Sequence, residues 1–454
     1  SAAWAVTLFL VSMPTCWAEQ EKTEEPPVRQ DPAVGNRDQA VRTADWLDVS
    51  FSTRFRYETV DNRFKLGEAG GDQQIPHRDR IGIGIKKVID PLRFLFEFEN
   101  SQAFLTDAGS TVNQSMVNHH DILQLYASVV LNQEPGSKYP SALYLGRQSF
   151  DLGSRRLFAR NRYRNTTNRW DGFRWSLGDP KGRTLDTFVF QPVRIRSYDM
   201  DRRVKGAWFW GSFFSTRLEQ GARLELYYFH LHEDPHLSSS LKRRHATFGG
   251  RLLKNGTPGA FGYEIESALQ VGKAAELDHL AHMEHLQLGY TFQAPWQPSI
   301  TGMWDYASGD SDPADHKSGT FDTLFGARRW DYGPTGILNW MYRSNINSPD
   351  IHLGFKPARK LEFLPSMRWL WLAGARAPWV GTGLRDTSGR SGAYVGRLVE
   401  LRFRCNLAPY FRPEFGYARF YKGSYARNVP GSPTAHDSNY FFIDLELVLN
   451  DLIK

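Results

Sequence analysis

Cysteine is nearly absent: Cys16 and Cys405 are the two in 454 residues, so a disulfide framework cannot be the basis of the fold. Past the N-terminus there is also no apolar run of about 20 residues, and no membrane-spanning helix is expected. A GxSxG elbow and an HExxH motif are both missing, which removes the signatures of a serine hydrolase and a zinc protease. His282 and His285 lie three apart in an apparent strand, so they point to opposite faces and do not form a joint metal site. Asp310, Asp312 and Asp315 are closely spaced, but the closing glutamate of an EF-hand is absent; they read as a solvated acidic loop. No metal or cofactor is expected.

Aromatic residues and an alternating pattern are abundant. The chain has 14 Trp, 19 Tyr and 30 Phe, and a net charge of +7. The first 18 residues, SAAWAVTLFLVSMPTCWA, are apolar and uncharged, which reads as a secretory signal peptide cut after Ala18. Residues 19–45 are charged and proline-bearing without periodicity, which reads as a flexible periplasmic lead-in before a structured region, 46–454. From Trp46 a period of two takes over. Leu47, Val49, Phe51, Phe55 and Tyr57 alternate with Asp48, Ser50, Arg54, Arg56 and Glu58, giving a strand with one apolar and one polar face. The pattern recurs to Phe441, Ile443, Leu445, Leu447 and Leu449.

Connections alternate in length. Tight joins such as 178–182, 255–259 and 356–360 contrast with long polar ones at 59–78, 101–120, 148–171, 308–349, 374–393 and 421–439. Short turns at one end and long loops at the other predict an all-β, transmembrane antiparallel β-barrel of the bacterial outer membrane. Nineteen strand candidates can be counted, whereas such barrels have an even number. Parity removes 336–345, which is assigned to the 308–349 loop as a short helix, and eighteen strands remain.

Polar faces of barrel strands point to the lumen, where rings of arginine select anions. By alternation Arg54, Arg56, Arg174, Arg402, Arg404 and Arg412 face inward. Inward Glu264, Glu266, Glu400, Asp444 and Glu446 make the lumen mixed in sign. The stretch Gly146–Arg174 carries eight arginines; alone it looks like a nucleic-acid patch, but behind a leader peptide it becomes an arginine-loaded external loop. Arg147 shares parity with Leu143 and Leu145, which aims it at lipid unless the strand bulges near Gly146.

Two segments resemble a known family. Gly146-Arg147-Gln148 with Arg169-Trp170-Asp171-Gly172 is similar to the GRQ…DG segment of alginate-export outer-membrane proteins. Tyr306-Ala307-Ser308-Gly309-Asp310, Gly319-Thr320-Phe321 and Leu324-Phe325 are similar to their ASGD…GTF…LF loop. The resemblance covers about 46–449, with departures at Gly326-Ala327-Arg328-Arg329-Trp330 after the LF pair and in the missing C-terminal aromatic. It implies an 18-stranded barrel and, from the type member, an arginine-lined constriction that passes a polyuronate. Carried over residue by residue, it adds Arg147, Arg155 and Arg169 as pore-lining candidates and Asp310, Asp312, Asp315, Thr320 and Phe321 as the loop motif. The expected activity is a passive porin-like channel for an anionic polysaccharide such as alginate, or for smaller anions. The barrel is expected to be monomeric and embedded in outer-membrane lipid, with periplasmic export components as partners and no nucleic acid. A barrel enzyme acting on lipid or glycan is the alternative.

Overall fold

The alternating segments form the two faces of one closed wall. A computed structural model describes residues 46–450, apart from 90, 108, 111, 132–139, 180–181, 235, 237–241 and 313. The leader, its cut after Ala18 and the 19–45 lead-in lie outside the described residues. The strands are β1 (Leu47–Val60), β2 (Asp72–Ile89), β3 (Leu92–Phe104), β4 (Asn118–Leu131), β5 (Ser141–Gln148), β6 (Trp170–Gly178), β7 (Thr184–Arg194), β8 (Arg202–Arg203), β9 (Ala207–Arg217) and β10 (Arg223–Glu233). They continue with β11 (Arg244–Lys254), β12 (Phe261–Ala274), β13 (Leu277–Thr291), β14 (Ser299–Ala307), β15 (Lys317–Ser318), β16 (Ile346–Ala358), β17 (Leu361–Trp371), β18 (Tyr394–Cys405), β19 (Glu414–Lys422) and β20 (Ser438–Asn450).

β8 and β15 are two-residue pairings inside loops, so eighteen strands make the wall among the described residues. Each is antiparallel to its neighbours, and β1 closes the ring by pairing with both β2 and β20. Closure leaves no unpaired backbone edge in the hydrocarbon, where an unsatisfied N–H or C=O costs several kcal/mol. The seam shows the logic of the alternation. Phe51 opposes Leu449 and Phe55 opposes Leu445 on the lipid face, while Arg54 opposes Glu446 and Arg56 opposes Asp444 on the inner face.

Nine connections lie at the end we assign as extracellular and eight at the other. One extracellular join breaks the expected length rule. Ala275–Glu276 joins β12 to β13 directly, with φ of 49° and 67°, the left-handed pair that a two-residue hairpin needs. The segment 336–345 belongs to a loop, as parity requires, but it is not a helix. The helix in that loop is α1 (Arg329–Tyr332), and β16 begins at Ile346 rather than 349. Ile337, Leu338, Trp340 and Met341 are all buried, so no single apolar stripe exists. The Ile337 N–H donates to Glu58 on the wall at 3.2 Å, not to a helical carbonyl.

The inner face is not polar all round. On β7, β9 and β10, Phe188, Phe190, Phe209, Phe213, Tyr227 and Phe229 point inward and are buried. They form an aromatic core together with side chains of two loops that fold into the barrel, 149–169 and 308–345.

Candidate pore constriction

The two inward loops meet in the lumen and join through their backbones. The Phe325 N–H donates to the Leu157 carbonyl at 3.0 Å, Ala159 to Phe325 at 3.2 Å and Ala327 to Arg155 at 2.8 Å. Phe158 stacks on Trp170 with ring centroids 4.2 Å apart, and Phe325 meets Trp170 edge-on at 5.8 Å. The WDG and LF motifs, far apart in sequence, are thus in contact through Trp170 and Phe325. A side chain at Gly326 would overlap the Arg156 carbonyl oxygen, so only glycine permits the approach.

Wall side chains hold the loops. Arg54 and Arg56 on β1 each donate to the Tyr163 carbonyl at 2.8 Å, and both bind Asp444. Arg78 on β2 donates to the carbonyls of Arg162 and Arg164 at 2.9 and 3.0 Å. In the reverse direction, loop arginines reach wall carboxylates. Arg160 binds Glu97 at 2.6 Å, and Arg169 binds Glu99 at 2.8 Å and Asp201 at 3.0 Å. Arg156 binds Glu264, Glu266 at 2.7 Å and Asp331 of the second loop at 3.0 Å. Arg329 binds Glu400 at 2.9 Å and Glu414 at 3.2 Å.

These pairs sit out of water and shift one another. Burial alone would push the Asp331 carboxyl up, but the guanidiniums of Arg156 and Arg343 outweigh it and hold that group well below the carboxylate range. Burial pushes the Asp201 carboxyl up to about 6 against the pull of Arg169, and the Tyr163 phenol up to about 12 despite Arg56.

The loop motif is a bracket. The Ser308 carbonyl accepts from the N–H groups of Phe321 at 3.0 Å and Asn345 at 3.1 Å. The Thr320 hydroxyl accepts from the Asp310 N–H at 3.1 Å, and Phe321 is buried. Asp312 and Asp315 accept N–H groups of Ala314 and Lys317 within their own turns. Among the described residues no cluster of three or more metal-ligating side chains converges. A Ser318–His279 pair exists at 3.3 Å, but the second imidazole nitrogen faces the Gln270 amide, not a carboxylate that would orient it as a base.

The predicted pore-lining arginines therefore fall into groups. Arg54, Arg56 and Arg174 are inward and buried, the last between the rings of Tyr144 and Phe150, each 4.1 Å away. Arg169 is 1% exposed and acts as an internal tie. Arg402 and Arg404 are inward and half-buried; Arg404 binds Glu362 at 3.0 Å and Glu414 at 3.3 Å. Arg412 lies in the 406–413 turn just before β19; its N–H donates to the Glu446 carbonyl on β20 at 3.3 Å, and its side chain is exposed rather than held in the constriction. Arg147 follows its parity to the outer face, where it pairs with Asp171 at 2.8 Å.

Arg155 is half-buried in the lumen, with its guanidinium 5.3 Å from the ring centre of Trp330; Arg404 lies 5.7 Å from the same ring. Trp330 is 51% exposed although its loop neighbours Arg329 and Asp331 are buried. β18 descends from Tyr394 to Cys405, so Arg404 places this cluster in the periplasmic half of the barrel. Sequence reasoning passed over Trp330 as a candidate. Its one signal was the departure at 326–330 from the family pattern.

The sequence profile of the alginate export family matches residues 45–441. No curated protein sequence matches the chain. Solved structures with a similar fold include Pseudomonas aeruginosa OpdK with vanillate, at 11% identity and TM-score 0.60, covering 89% of this chain and 98% of that one. The outer membrane protein OprD of Pseudomonas aeruginosa matches at 12% identity and TM-score 0.56, covering 89% and 94%. OccAB1 of Acinetobacter baumannii matches at 12% and 0.57, covering 89% and 96%. With its eighteen-stranded porin-like wall in the Gram-negative outer membrane, the chain belongs to the alginate export family.

Proposed function

We propose that the protein is a passive, anion-selective channel for carboxylated solutes, including segments of an acidic polysaccharide such as alginate, and that it catalyses no reaction. The observation that carries this reading is the exposed Trp330 flanked by Arg155 and Arg404. A flat aromatic face offers a stacking platform for a sugar ring, and guanidinium forks match carboxylates. Arg54, Arg56, Arg156, Arg169 and Arg329 are buried against carboxylates. Arg155 has no carboxylate partner among the described residues, and Arg404, though bound to Glu362 and Glu414, is only half-buried, so a passing anion meets cations here that water still reaches. Contacts of this kind admit a solute without trapping it. OpdK, a relative in fold, was solved with vanillate, another carboxylate.

Planar-bilayer recording tests the proposal. In a salt gradient the reversal potential of the wild-type channel is expected to report anion preference, and oligouronates are expected to block the current. Arg155→Ala with Arg404→Ala should move the reversal potential toward zero. Trp330→Ala should raise the half-blocking oligouronate concentration about tenfold, corresponding to ~1.4 kcal/mol of lost contact. A cation-selective wild type, or block indifferent to all three substitutions, would sink the proposal.

A further inference from the structure

We infer that a basic hollow on the outer surface of the wall, at the extracellular ends of β5 and β6, binds a phosphate group of the outer-leaflet glycolipid, lipopolysaccharide. This site lies on the opposite side of the wall from the lumen and does not depend on what the pore conducts.

The wall is low here. β5 and β6 have eight and nine residues, against 18, 13 and 14 for β2, β3 and β4. Beyond Gln148 the chain turns into the lumen. The 195–206 segment leans across the notch, anchored by Asn118 to Asp201 and by the His119 N–H to the Ser197 carbonyl, both at 3.0 Å. Outside it lies an open hollow of about 550 Å³ lined by Arg147, Asp171, Arg202, Arg203 and Lys205.

Three observations point to a lipid phosphate. The first is height. Leu145, 66% exposed, and Phe173 are paired on the lipid face, and the next outward pair on the same two strands is Arg147 with Asp171. The surface therefore changes from apolar to charged within one two-residue step, roughly 7 Å along the strand. Trp208, exposed at the start of β9, fits the aromatic belt found at that boundary. The second is charge. Four cations and one carboxylate leave three net positive charges in the hollow, where a phosphate monoester brings about −1.5 to −2. The third is how the cations are held. Arg147 is fixed by Asp171 at 2.8 Å and by buried Asp121 at 3.4 Å. Arg202, Arg203 and Lys205 are exposed and have no carboxylate partner among the described residues.

The test uses the full-length protein in detergent, titrated with lipopolysaccharide, with the same glycolipid after chemical removal of its phosphates, and with inorganic phosphate. Native mass spectrometry counts the bound lipid. Wild type should bind the phosphorylated lipid saturably and the dephosphorylated lipid at least tenfold more weakly. The variant Arg202→Gln, Arg203→Gln, Lys205→Gln should lose at least tenfold in affinity while keeping its heat-modifiable folded mobility and unit conductance. Arg155→Gln with Arg404→Gln should bind lipid as wild type does, so failure of the pore reading would not register here. Equal binding by the triple variant, equal binding of the dephosphorylated lipid, or inorganic phosphate displacing the lipid completely at millimolar concentration would overturn the inference.

Discussion

Arg155 and Arg156 are neighbours in the chain with opposite surroundings. Arg156 is buried and bound to three carboxylates, whereas Arg155 reaches water beside Trp330. Arg156→Met should be costly, because it leaves Glu264, Glu266 and Asp331 without their shared cation. Removing one partner from a buried ionic cluster typically costs about 3–5 kcal/mol. Thermal unfolding in detergent should show a clear drop for Arg156→Met and almost none for Arg155→Ala. Equal losses would mean that the two guanidiniums share one environment. Nothing in the sequence separates them. Both lie in a segment without period two, and which one meets carboxylates depends on how the 149–169 loop enters the barrel. Arg54 and Arg56, by contrast, sit in a strongly alternating strand, and their inward direction was legible from Leu47–Glu58 alone. Arg412 misleads for a related reason: its segment alternates, but it lies in the 406–413 turn, where its side chain is exposed although its N–H still reaches the Glu446 carbonyl on β20 at 3.3 Å.

At the scale of elements, the strands were legible and the inward loops were not. Period two survives because each strand divides lipid from lumen. The loops are surrounded on all sides by wall and by each other, so Phe150, Phe158 and Phe321 bury themselves, with Phe325 packed against them, and no spacing rule applies. The helix expected over 336–345 would take the Ile337 N–H away from Glu58, to which it donates alongside the Gln74 amide and the Tyr440 hydroxyl. The electrostatics of the loop joint set its pH range. Burial opposes ionisation of Asp331, yet Arg156 and Arg343 hold it well below the ordinary carboxylate value. Asp322 behaves likewise, with Arg243 overcoming burial. A carboxyl depressed in the folded state contributes stability that is complete above the unfolded value near 4 and is lost only as pH falls through the lower folded value. Hydrogen exchange in the 308–345 loop, corrected for its intrinsic pH dependence, should therefore show the same protection at pH 4.5 as at pH 7.5. Loosening with a midpoint between pH 5 and 7 would contradict this.

For the whole molecule, the backbone ladder of the wall is complete without the loops inside it, which are tied to the wall by side chains. Every spanning strand is paired on both sides by other strands, and β14 meets β16 directly, with Ala307 opposite Ile346 at the top of the pair. The 308–345 loop therefore leaves and re-enters the barrel at two adjacent backbone positions. Excising it and joining Ala307 to Ile346 through Asn-Gly asks only for a two-residue hairpin between antiparallel strands. The shortened protein should still form a heat-modifiable barrel, because the wall keeps its ladder. It should lose the backbone joint to 155–159, Trp330 and the cations that Arg329 offers to Glu400 and Glu414. Two changes follow in single-channel recording. Unit conductance should rise several-fold as the lumen empties, and anion preference should weaken because Glu400 and Glu414 are left without a loop cation. If the barrel folds and conductance stays at the wild-type value, the constriction lies elsewhere along the pore. If conductance rises while anion preference is retained, the selective element is the arginines of the wall rather than the loop pair.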